Sequence, residues 1–162
     1  MKTIHEKLRS QRGMTLTEVL VALIILSLVT VGIATGVGAS VRVYRQATEA
    51  SDAQMLVSTL SAALMDELRY ARDVGGSADA PTFTSDTFGE GSSVGVTDGR
   101  IIVGGEKLLS DAAYAGLRVK TADVTYADGV FQVELTVQSG TEDRDVRTAS
   151  FEVRALTAGL ST

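Results

Sequence analysis

The apolar positions of this chain change period twice. Residues 19–43 are apolar almost without interruption, and the polar side chains among them are Ser27, Thr30, Thr35, Ser40 and Arg42. At 1.5 Å per residue about 25 helical residues reach roughly 37 Å, more than the ~30 Å hydrocarbon core of a bilayer. The run therefore predicts a membrane-spanning helix whose four hydroxyls bond to carbonyls of the preceding turn. Beyond it the pattern becomes periodic: Ala47, Ala50, Ala53, Val57, Leu60, Leu64, Leu68 and Ala71 recur at three- and four-residue steps, one face of an amphipathic helix. Glu49, Asp52, Ser58, Asp66, Arg69 and Arg72 fall mostly on the other faces. No strong breaker interrupts residues 15–74, and Gly75-Gly76 then offers a C-cap. A single helix of about 60 residues, roughly 90 Å long, follows from these signals.

From Gly76 to Gly99 the chain is rich in Gly, Ser, Asp and Thr and holds its only proline, Pro81. This predicts a connecting loop with short strands at 82–83 and 94–96. Strand signals dominate the rest. Residues 100–103 and 107–109 flank Gly104-Gly105, and residues 117–126 and 130–138 flank Ala127-Asp128-Gly129. Phe131, Val133, Leu135 and Val137 alternate, as do Phe151, Val153 and Ala155, so each run has one buried face. The expected fold is α+β: a long N-terminal helix packed on an antiparallel meander of four or five strands.

Length and charge narrow the possibilities. The 162 residues accommodate one membrane segment and one domain of about a hundred residues. Lys2, Lys7, Arg9 and Arg12 precede the apolar run, whereas Arg42 and Arg45 beyond it are soon joined by Glu49 and Asp52. The basic excess keeps the N-terminal side cytoplasmic and turns the C-terminal domain outward. Without cysteine there is neither disulfide nor thiolate metal site, and the domain must hold together by packing alone.

The junction ahead of the apolar run carries the functional signal. It reads Arg12-Gly13-Met14-Thr15-Leu16-Thr17-Glu18, with a carboxylate at the mouth of a segment where ionisable groups are costly. In Gly13, a hydrophobe at Met14, Thr15-Leu16, Glu18 and the apolar helix in register behind them, the chain resembles the type IV pilin and pseudopilin family. The match covers about the first forty residues. It implies a leader at 1–13, cleavage between Gly13 and Met14 by a prepilin peptidase, and N-methylation of the new Met14 amine. In the family the carboxylate equivalent to Glu18 pairs with the N-terminal amine of an adjacent subunit. The resemblance also implies a pilin-like shape, other pilin subunits and the membrane assembly machinery as partners, and lipid around the helix before assembly. Many major pilins place a proline where this chain has Thr35; its absence and the low aromatic content favour a minor pilin or pseudopilin.

The implied organisation is a leader at 1–13, the membrane and filament-core half of the helix at 14–43, its amphipathic half at 44–75, a connecting loop at 76–99 and a β domain at 100–162. Gly32 and Gly36, joined by Gly38, form a small-xxx-small pair that permits close approach of a neighbouring helix, although glycine is also common in membrane helices generally. Loss of the leader would remove four basic residues and one acidic residue, taking the net charge from −5 to about −8, which disfavours direct nucleic-acid binding. The single histidine, His5, lies in the leader, and no Walker loop, zinc motif, nucleophile elbow or dinucleotide fingerprint is present. Glu142, Asp143 and Asp145 cluster but interleave with Arg144 and Arg147, the pattern of a solvated turn, without EF-hand spacing. The expectation is a structural subunit with no enzymatic activity, cofactor or metal, membrane-held before assembly and part of an envelope or extracellular filament afterwards. Two alternatives stand beside it: a single-pass envelope sensor or binding module, and a secreted domain cut near Ala34, Gly36, Gly38 and Ala39.

Overall fold

Helix α1 (Leu16–Arg69) runs without a break through 54 residues of the chain. It belongs to a computed structural model that describes residues 15–156. The chain divides into two compact units after Arg45. In the first, α1 carries its apolar residues exposed from Leu16 to Tyr44. In the second, the helix turns Ala53, Leu56, Val57, Leu60, Leu64 and Leu68 into a core. This stripe is the one expected, with Leu56 added; Ala47 and Ala50, assigned to it from periodicity, are exposed. Each of the buried leucines stabilises the domain by roughly 1.5–3 kcal/mol relative to exposure.

The helix ends at Arg69, short of the predicted Val74. The carbonyl of Arg69 accepts the backbone N–H of Leu156 at 2.9 Å, and Ala71 is fully buried two residues later. Tertiary pairing thus overrides a local sequence that could have prolonged the helix. Gly75 and Gly76 are correspondingly not a C-cap. They lie in strand β1 (Arg72–Ser77), opposite Thr82 and Pro81 of β2 (Ala80–Ser85).

The segment 76–99, expected as a connecting loop, is largely strand. β1, β2 and β3 (Gly89–Ser92) form one antiparallel sheet. β4 (Val94–Thr97), β5 (Arg100–Val103) and β6 (Glu106–Lys107) form a second. β7 (Arg118–Ala127), β8 (Val130–Gln138) and β9 (Asp145–Arg154) form the third. The expected α+β class holds, but the described residues make three three-stranded sheets in place of one meander. Asp98-Gly99 and Asp128-Gly129 turn two of the hairpins with φ of 52° and 73°, and of 52° and 80°, the left-handed pairs that a two-residue type I′ turn requires. Phe131, Val133, Leu135 and Val137 of β8 are all buried, as their alternation predicted. Phe83 of β2 meets Phe131 edge to face at 6.0 Å, which joins the first and third sheets through the core.

Two polar clusters fasten the connections: one ties β5 to the segment before β7, the other ties the turn after β8 to α1 and β7. Tyr114 is fully buried in a short 3-10 helix (Asp111–Tyr114); its hydroxyl accepts the Ile101 N–H at 3.0 Å, and burial pushes its pKa up. The Arg100 guanidinium lies 4.2 Å over the Tyr114 ring and donates to Asp111 at 2.9 Å and to the Leu117 carbonyl at 3.1 Å. Lys107 reaches the other Asp111 oxygen at 2.8 Å. Lys107 and then Arg100 hold the Asp111 carboxyl below its ordinary value of 3.8. In the second cluster, Ser139 accepts the N–H groups of Thr141 and Glu142, while Arg144 pairs with Glu49 of α1 at 2.5 Å and Asp145 with Lys120 at 3.0 Å. The acidic turn at 142–145 is therefore tied to α1 by its own Arg144 and to β7 by Lys120.

Just ahead of this turn the backbone packs closely on another segment. A Cβ on Gly140 would lie 1.7 Å from the Gly116 carbonyl oxygen, whereas one on Gly95 would meet nothing within 4 Å. Gly140→Ala is expected to cost about 1–3 kcal/mol, as overpacking does, and Gly95→Ala to change stability little; urea midpoints of the full-length protein in detergent micelles decide this. Asp111 provides a pH test. Its carboxyl is depressed in the folded state, so its contribution is present above the unfolded value and lost as pH falls through the folded one. Asp111→Asn should flatten the acid limb of the same stability curve, and an unchanged acid limb would contradict the assignment.

Candidate assembly and processing segment

Thr15 stands just outside the helix and caps it. Its hydroxyl accepts the Glu18 N–H at 3.3 Å, and its carbonyl accepts those of Glu18 at 2.9 Å and Val19 at 3.2 Å. Helix N-termini leave such donors without intrahelical partners, and threonine at this position is a preferred remedy. Glu18 occupies the first turn, where a carboxylate complements the helix dipole. Thr15-Leu16-Thr17-Glu18 is thus a Ser/Thr-x-x-Glu capping sequence directly before an apolar run. The signal that carries it is the threonine three residues ahead of Glu18 at the start of the apolar run.

Downstream, the helix satisfies its own polar groups. Ser27 donates to the Ile24 carbonyl at 2.7 Å, Thr30 to Leu26 at 2.8 Å, Thr35 to Gly32 at 3.0 Å and Ser40 to Gly36 at 3.0 Å. Such back-bonding is what the sequence predicted for these hydroxyls, and it leaves no donor seeking water. The apolar side chains point outward on every side, from Val19 at 41% exposure to Leu16 at 83%. Among the described residues, α1 is the helix long and apolar enough to cross a membrane.

The predicted site residues separate into three groups. Glu18 lies in the first turn of α1, its backbone N–H held by Thr15, which was not among the predicted site residues. Gly32, Gly36 and Gly38 lie on the exposed helix, and a Cβ on any of them would meet nothing within 4 Å among the described residues. Gly13 and Met14 lie outside the described residues. Among the described residues no cation lies within ion-pairing distance of the Glu18 carboxylate, and no group of three metal-ligating side chains is arranged to hold an ion.

Residues 8–34 match the prokaryotic N-terminal methylation motif. The chain carries the type IV pilin and pseudopilin signature. Neither a curated protein nor a solved structure matches it. The pilin signature bridges the expected cleavage junction and the exposed apolar helix, and the helix with its small antiparallel sheets has a pilin-like layout. It supports a type IV pilin-like protein, a kind that prepilin peptidase processes and the pilus assembly machinery handles. With the apolar helix, the motif points to membrane anchoring before assembly.

The cap yields a test of local geometry. Thr15→Val keeps the shape but loses the hydroxyl, and loss of an N-cap costs about 1 kcal/mol. Exchange of the Glu18 amide should accelerate on the order of fivefold in micelles, and Thr15→Ser should restore protection. Equal exchange in all three forms would show that the hydroxyl does not cap the helix.

Proposed function

We propose that the chain is a minor subunit of a type IV pilus or related pseudopilus. It is matured by cleavage between Gly13 and Met14, methylated at the Met14 amine, and assembled through residues 14–43. The observation that carries this reading is the continuity of the methylation motif at 8–34 with a helix that exposes apolar side chains on every face. A helix of this kind is covered by lipid in the precursor pool and by other subunits in a fibre. The C-terminal domain, outward of the membrane, becomes the surface of an envelope or extracellular filament.

In this reading Glu18 pairs with the methylated amine of an adjacent subunit. Removal of the leader creates that amine one helical turn from the carboxylate, so the partner charge is absent from the precursor. Within an apolar fibre core an unpaired carboxylate is disfavoured by several kcal/mol, which makes pairing a criterion of axial register. Methylation keeps the amine charged while removing hydrogen-bond donors. Gly32 and Gly36 supply the face on which a neighbouring helix approaches.

Mass spectrometry of the protein from its native membrane tests the processing step, with a methylated Met14 terminus expected. An intact Met1 terminus would favour an envelope sensor or binding module with a permanent anchor. Glu18→Ala should still insert and be cleaved, yet enter sheared filaments at a small fraction of the wild-type level; normal incorporation would remove the pairing role.

A further inference from the structure

Arg42, Tyr44 and Arg45 close the apolar stretch, and all three are exposed, Tyr44 at 73%. No ion pair of either arginine occurs among the described residues. Glu49, which lies four residues beyond Arg45 and would be its natural helical partner, is engaged by Arg144 at 2.5 Å. The chain thus presents two guanidinium groups and a phenol ring where the apolar stretch of α1 ends.

Their distance from Glu18 gives the arrangement meaning. No charged side chain intervenes between Glu18 and Arg42, and the helical rise between them is about 36 Å. A bilayer has a hydrocarbon core of roughly 30 Å and spans about 40–45 Å with its headgroups, so a helix of this spacing sets one charge in each headgroup layer. Arginine and tyrosine are suited to that layer: long guanidinium stems lie along hydrocarbon while the heads reach phosphate, and the tyrosine ring is amphipathic. Charge complementarity and length therefore select the same occupant.

We infer that Arg42, Tyr44 and Arg45 form a collar that docks on lipid phosphate groups at the outer face of the membrane and fixes the depth of the helix before assembly. The inference rests on the membrane-anchored precursor proposed above and adds the contact that sets its register. With the collar seated, Glu18 lies in the opposite headgroup layer, which keeps its carboxylate hydrated and the adjoining processing junction at the membrane surface.

The absence of cysteine makes the collar directly measurable, because any introduced thiol is unique. The mature full-length protein, carrying Leu28→Cys or Gln46→Cys, is placed in vesicles containing phosphatidylglycerol with its domain outside and treated with a membrane-impermeant maleimide. Protection at position 28 and labelling at position 46 are expected. Replacing both arginines by Gln should let the segment settle deeper and slow labelling at position 46 on the order of fivefold, the effect of a basic residue near an anionic surface. Replacing both by Lys should preserve the wild-type rate. Equal rates in the Arg and Gln forms, with position 28 still protected, would overturn the collar and leave the anchor intact. Labelling at position 28 would overturn the anchor itself.

Discussion

The stretch of α1 from Leu16 to Tyr44 has no inside. Its backbone is bonded within the helix, its hydroxyls are bonded to the preceding turn, and its apolar side chains are exposed all round. In water such a surface is strongly unfavourable, and nothing in the described chain covers it. A spanning helix solves the problem in lipid because every backbone group is already satisfied. Packing among like helices solves it again without lipid. The same outward surface can therefore pass from bilayer to fibre without refolding, provided that the domain attached to it stays folded in both settings.

The second unit meets that requirement with its own resources. Leu60, Leu64 and Leu68 of α1, Phe83 of β2, Ile101 of β5 and Phe131 of β8 share one core that needs nothing from the apolar stretch. There is no disulfide to lock it. Its order comes instead from packing and from a few well-tied junctions: Tyr114 beneath Arg100, Gly140 against Gly116, and Arg144 on Glu49. Most of the ion pairs are exposed, and each contributes little alone. Their value lies in fixing loops that would otherwise add freedom around the strands.

The parts of the fold that were legible in the sequence are those whose burial repeats at a fixed period. The alternation of β8, the leucines at 60, 64 and 68 of α1 and the Asp128-Gly129 turn all appear where the pattern put them, because local geometry and burial agree there. The end of α1 and the first sheet were not legible. Ala71 and Arg72 are acceptable helix residues, and what stops the helix is the Leu156 N–H arriving at the Arg69 carbonyl from the far end of the chain. Residues 72–92 are glycine- and serine-rich, so β1 and β3 are held by pairing with β2 more than by apolar faces. In the candidate site the charge of Glu18 was conspicuous, while the cap on its amide lay in the ordinary threonine three residues before it.

That cap clarifies how one residue can serve two states. The backbone N–H of Glu18 is taken by Thr15, so the start of the helix does not depend on a partner for the carboxylate. In a bilayer the carboxylate can remain in the hydrated headgroup layer, where a charge near a helix N-terminus is tolerated and mildly favourable. In an apolar fibre that hydration is removed, and the group then requires an opposite charge. The environment changes the energetic demand while the local fold stays the same. In the proposed assembly, a carboxylate placed at this boundary would be weakly constrained before it and strongly constrained after it, the property needed of a residue that distinguishes a correctly seated subunit from a misplaced one.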